Sequence, residues 1–139
     1  MKLVVIAGLL FGILLLSGCD TAPKLVPVSG SVTVKGKEVA GAVVLFHPLD
    51  PELMPASGVT AGDGTFTLVS GPDAGIRPGK YKVTVTWPDP KFKPSKAAVM
   101  MGTAEDGPDL LKGRYATKDK TTLTAEIAAD TTQLPPFEL

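Results

Sequence analysis

The chain has 139 residues, and 14 Lys plus Arg balance 14 Asp plus Glu to a formal net charge of zero. That balance removes the broad basic field with which proteins neutralise phosphates, so no nucleic-acid partner is expected. One Cys and one His exclude a Cys/His zinc cluster and any intrachain disulfide, while 44% apolar residues suffice for the core of one domain.

The N-terminus reads as an address rather than as part of a fold. Lys2 precedes an apolar run from Leu3 to Leu16, and Ser17, Gly18 and Cys19 follow it. A positive start, an apolar stretch of about 7–15 residues and small residues at its end describe a secretory signal peptide. The run is short of the roughly 20 residues that span a bilayer. Leu16-Ser17-Gly18-Cys19 resembles the bacterial lipobox. That resemblance implies recognition through Leu16, Ser17 and Gly18, loss of residues 1–18, and acylation of Cys19, whose thiolate is the nucleophile that accepts a diacylglyceryl group. Two or more acyl chains anchor a protein stably. Residues 19–26 then form the lipidated N-terminus and a Pro-containing tether. Asp20 to Val26 reach at most roughly 25 Å at about 3.3–3.6 Å per residue. The expected location is the bacterial cell envelope, with a domain of residues 27–139 held at a membrane outside the cytoplasm.

From Val28 onward the pattern is that of short strands and turns. Val28, Gly30, Val32 and Val34 alternate with polar residues, as a half-buried strand should. Lys35-Gly36 makes a two-residue turn. Ala42 to His47 is a nearly continuous apolar, β-branched run that suits a central strand. The Ala61-Gly62-Asp63-Gly64 turn leads into Thr65 to Leu68, with Phe66 and Leu68 on one face. Pro78-Gly79 is a turn pair. Tyr81, Val83, Val85 and Trp87 then share a face opposite Lys82, Thr84 and Thr86. Thr122 to Ile127 alternates again, and Pro135-Pro136 places Phe137-Glu138-Leu139 on a sheet edge. About seven such strands without intervening helices predict an all-β fold, a seven-stranded antiparallel β-sandwich of immunoglobulin-like type. The stretch 88–120, rich in Pro and Gly, reads as a long loop with short helical character at Ala97 to Met101.

Several of these pieces resemble the carboxypeptidase regulatory-like domains. Val28 to Lys37 is similar to their opening hairpin, Ala42 to Pro48 to their second strand, Thr60 to Phe66 to their Asp-Gly turn, and Pro78 to Val83 to their Pro-Gly-x-Tyr-x-Val strand. In size and layout the chain is also similar to short lipoproteins numerous in planctomycetes. The resemblance implies a transthyretin-like, seven-stranded sandwich without catalytic residues. Ala61 stands where the family commonly has Asp, and a single carboxylate at Asp63 falls far short of the six to eight oxygens calcium takes.

No reactive constellation stands out. There is no G-x-S-x-G elbow, and His47 is the only imidazole. No enzyme activity, cofactor or metal is expected. Gly75 to Tyr81 is one residue short of a phosphate loop and carries Tyr81 where Ser or Thr is required. The candidate surface contact is Lys91, Phe92, Lys93 and Lys96, followed by Val99-Met100-Met101; lysines near anionic headgroups contribute about 1 kcal/mol each. Trp87 and the 88–120 loop are a candidate sugar-stacking platform, with burial of Trp87 in the core as the simpler role. The function these readings point to is a membrane-anchored, non-catalytic envelope lipoprotein that binds an envelope protein or polysaccharide; a glycan-binding module is the alternative.

Overall fold

The computed structural model describes residues 24–139. Leu16, Ser17, Gly18 and the candidate acylation residue Cys19 lie outside the described residues, as does most of the tether. Among the described residues there are ten strands and one short helix. The strands are β1 (Ser29–Val34), β2 (Lys37–Glu38), β3 (Val43–Pro48), β4 (Ala56–Val59), β5 (Thr65–Thr67), β6 (Val69–Ser70), β7 (Asp73–Ala74), β8 (Gly79–Thr86), β9 (Thr124–Ile127) and β10 (Phe137–Glu138). The helix α1 (Lys96–Met100) stands between β8 and β9.

Two sheets form the all-β body. In one, β1 is flanked by β10 on one side and by β2 and β5 on the other; the second has the order β7-β6-β4-β3-β8-β9. The count exceeds the seven expected from sequence in part because β6 and β7 are only two residues long, too short to carry a period; β10, equally short, is the edge segment expected at Phe137. The all-antiparallel expectation needs one correction. β10 runs parallel to β1, with Val32 opposite Phe137 and Thr33 opposite Glu138. A parallel pair requires a crossover, and the return from β9 over residues 128–136 supplies it.

The segment expected as a single strand from Thr65 to Leu68 instead changes sheets. β5 pairs with β1, Phe66 opposite Gly30, whereas β6 pairs with β4, Val69 opposite Ser57. Leu68 is the crossing point, where its N–H donates to the Val28 carbonyl at 3.0 Å. Strands that switch sheets by a bend form the corners of packed-sheet folds. The two sheets come very close here. A Cβ on Gly58 of β4 would lie 2.7 Å from the Thr67 carbonyl oxygen of β5; within the first sheet, one on Gly30 would lie 2.6 Å from Cζ of its cross-strand partner Phe66.

The core lies between the sheets. Val32, Phe66 and Phe137 of the first sheet meet Val44, Phe46, Tyr81, Val83 and Val85 of the second. Phe46 sits at the centre, with ring centroids 6.3 Å from Phe66, 6.1 Å from Tyr81 and 6.2 Å from Phe137. The tilted and edge-on ring angles are those the aromatic quadrupole favours. Buried polar groups are matched: Thr60 Oγ1 accepts the Ala42 N–H at 2.9 Å, and the Thr121 hydroxyl donates to the Val83 carbonyl at 2.6 Å. Among the described residues no buried side-chain nitrogen or oxygen lacks a partner, as low-dielectric surroundings demand.

The stretch 88–120 divides into two parts. Its base is closed by a bridge between Pro88 and Asp109, so residues 89–108 form an excursion beyond the end of β8. The chain then returns along β8. The Leu110 N–H donates to the Trp87 carbonyl at 2.8 Å, and the Val85 N–H donates to the Tyr115 carbonyl at 2.9 Å. This irregular return covers the edge of β8 where β9 stops, because β9 pairs only with Gly79 to Lys82.

Candidate functional site

The excursion 89–108 springs from the C-terminal end of β8. The chain comes into the fold at the other end, where Val26 exchanges backbone hydrogen bonds with Ile76 at 2.8 and 2.9 Å. β8 has eight residues, a span of roughly 25 Å at about 3.3 Å each. The two features therefore occupy opposite ends of the body.

Asp109 organises the base of the excursion. Its Oδ1 accepts the N–H of Trp87 at 2.9 Å and of Leu111 at 3.0 Å, and its Oδ2 accepts the N–H of Gly113 at 2.8 Å. Three backbone donors converge on one carboxylate, a charge-assisted arrangement stronger than neutral hydrogen bonds. Sequence reasoning passed over this residue. The usable signal was an Asp directly after Pro108 and before a Gly-containing turn, where a carboxylate satisfies nearby backbone N–H groups.

Trp87 belongs to the body rather than to the exposed surface. It is half-buried and packs against the core cluster, and its indole N–H donates to the Ala40 carbonyl at 3.0 Å. That hydrogen bond occupies its one N–H donor. Lys91, Lys93 and Lys96 are exposed, while Phe92 is 44% exposed and rests on Gly107, where an added Cβ would lie 2.6 Å from its own. Lys91, Phe92 and Lys93 are thus exposed neighbours on the excursion.

The helix α1 matches the expected helical stretch to within one residue. Ser95 caps it by accepting the Ala98 N–H at 3.1 Å, the usual role of Ser at that position. It buries no residue, and Met100 and Met101 are 88% and 78% exposed. Beneath the excursion is a concavity of about 360 Å³, lined by Ala40, Gly41, Pro88, Phe92 and Pro94 together with Asp89, Glu105 and Asp106. Among the described residues no three His, Cys, Asp or Glu side chains are grouped so as to hold a metal ion, and no helix is long and apolar enough to cross a membrane.

His47 lies on β3, away from this end, with Nε2 2.9 Å from Thr84 Oγ1. Burial, and secondarily the Lys118 ammonium, hold its pKa below the ordinary value. The unfolded chain therefore takes up this proton at higher pH than the folded one does. Stability is full above the unfolded value of about 6.5 and declines as pH falls below it. Thermal melts across pH should show the midpoint dropping between about pH 7 and pH 5, and His47→Gln should flatten that part of the profile. At the Asp63 turn, the Thr65 hydroxyl and N–H both donate to Asp63 Oδ1, at 2.6 and 3.1 Å. These hydrogen bonds hold the Asp63 carboxyl below its usual range.

Fold and site together define an all-β domain of two packed sheets with a long excursion at one end and the incoming chain at the other. No family model, curated protein or solved structure matches this chain.

Proposed function

We propose that this protein is a membrane-anchored lipoprotein of the bacterial cell envelope. Its non-catalytic β-sandwich, of the transthyretin-like, carboxypeptidase regulatory-like kind, displays the 89–108 excursion to an envelope protein or polysaccharide. The single observation that carries the reading is the polarity of the body. The chain comes in at the Val26–Ile76 bridge, and Lys91, Phe92, Lys93, Lys96 and the Met100-Met101 pair stand at the opposite end. A tether of residues 19–26 fixed to acyl chains on Cys19 would hold the first end against the headgroups and turn the second outward. In this arrangement the lysines and Phe92 meet a partner across the aqueous space, and the headgroups of the anchoring membrane face the other end. The test joins fractionation with crosslinking. Wild-type protein should sediment with membranes and Cys19→Ala should be released. A photocrosslinker at Met100 should capture a non-lipid envelope component. Membrane retention of Cys19→Ala, or capture of lipid from position 100, would count against the reading.

A further inference from the structure

Two Lys-Gly pairs, Lys35-Gly36 and Lys112-Gly113, adopt the same uncommon backbone conformation. φ is 51° at Lys35 and 55° at Lys112, and among the described residues no other non-glycine residue has a positive φ. The glycines that follow have φ of 76° and 70°. Gly or Asn takes this left-handed region at lower cost than a lysine; at Lys35-Gly36 the two-residue turn between β1 and β2 requires it, and both pairs hold their lysines at fixed backbone positions. The pairs are 77 positions apart in sequence, yet both lysines line one cavity of about 580 Å³ together with Arg114. That volume falls in the ~300–1,000 Å³ range of small-molecule sites.

The lining of the cavity joins apolar and basic residues. Val34, Leu110, Leu111, Tyr115 and Leu139 are its apolar members, and no lining side chain is acidic. Both walls are fixed by backbone hydrogen bonds. The Lys35 N–H donates to the Leu139 carbonyl at 3.1 Å, the Leu139 N–H donates to the Thr33 carbonyl at 2.9 Å, and Asp109 clamps Leu111 and Gly113 on the facing side.

We propose that this cavity binds an amphipathic anion, a carboxylate or phosphate group carried on a hydrocarbon body. Lys35, Lys112 and Arg114 of the lining supply cationic partners for an oxyanion, and the leucines and tyrosine take the apolar part. The proposal goes beyond the anchoring reading and does not depend on acylation of Cys19. Calorimetric titration of the full-length chain with decanoate tests it, with decanol and inorganic phosphate as controls. Decanoate should bind saturably, and the Lys112→Ala/Arg114→Ala double variant should bind it at least about tenfold more weakly. Lys112 and Arg114 are exposed, so the melting temperature of the double variant should match the wild type and separate lost binding from lost folding. Decanol and phosphate, each lacking one half of the chemistry, should bind at least about tenfold more weakly than decanoate. Vesicles of phosphatidylglycerol distinguish the source of the anion. Weakened vesicle binding by the double variant marks a lipid, and weakening toward decanoate alone marks a free acid. Absence of decanoate binding, equal affinity of the double variant, or decanol binding as tightly as decanoate would overturn the proposal.

Discussion

Phe46→Ala is expected to destabilise the fold by about 3–5 kcal/mol, the cost of emptying a large aromatic site in a packed core. Phe46 has no exposed surface and touches aromatic rings from both sheets, Phe66 and Phe137 on one and Tyr81 on its own. Truncation would remove the contact between the layers at its centre, and no single neighbour could fill the space without leaving its own position. A domain of this size has a total stability of about 6–17 kcal/mol, so the variant should lose a large share of it. Urea unfolding followed by Trp87 fluorescence would measure the change. A loss below about 1 kcal/mol, the level of an ordinary surface substitution, would contradict the central role of the ring. Phe46→Leu, which refills much of the volume, should recover part of the loss.

Asp109→Ala should cost about 2–4 kcal/mol, since hydrogen bonds to a charged group are each worth about 1.5–3 kcal/mol before partial solvation replaces them. The carboxylate joins three N–H groups on both sides of the loop base, at Trp87, Leu111 and Gly113. Its removal leaves the return segment 109–115 unsupported along the edge of β8. Hydrogen exchange should therefore accelerate at those three amides and at Val85, whose N–H donates to Tyr115, while the Val44 and Val83 amides of the central strands keep their protection. Asp109→Asn should be milder. Its amide oxygen can still accept at one position, but its NH₂ must then face a backbone N–H. Uniform acceleration across the whole chain would show that Asp109 supports the body as well as the loop.

The strands with a period of two were legible in the sequence. Val32, Val44, Phe46, Tyr81, Val83, Val85 and Ile127 are buried, as their alternation indicates. The central position of β3 follows from its continuous apolar character, since β4 and β8 cover its two sides. What could not be read is what depends on distant partners. β6 and β7 join through a tight turn at Gly71, where φ is 61°, and two residues cannot display a pattern. The parallel pairing of β1 with β10 is set by packing of Phe137 against Phe46 and Phe66, not by any local signal. Thr84 alternates with Val83 and Val85 yet is only 3% exposed, with the His47 ring hydrogen-bonded to its hydroxyl. At the candidate site the exposed Lys91, Phe92, Lys93 and Lys96 stood out by composition. The role of Asp109 and the convergence of Lys35, Lys112 and Arg114 did not, because the fold brings those residues together from separate stretches of chain.

The placement of β1 also has a mechanical consequence. A pull on the chain ahead of Lys24 would act along β1, which is bonded over its length to β5 and β2 on one side and to β10 on the other. Those bonds lie across the direction of the pull and would be loaded together in shear, whereas a hairpin peeled from its end would yield one bond at a time. Ahead of them stands the Val26–Ile76 bridge, the first link to give way. The sandwich is thus built to resist traction from its amino-terminal side, with a short sacrificial clasp that yields before the layers part.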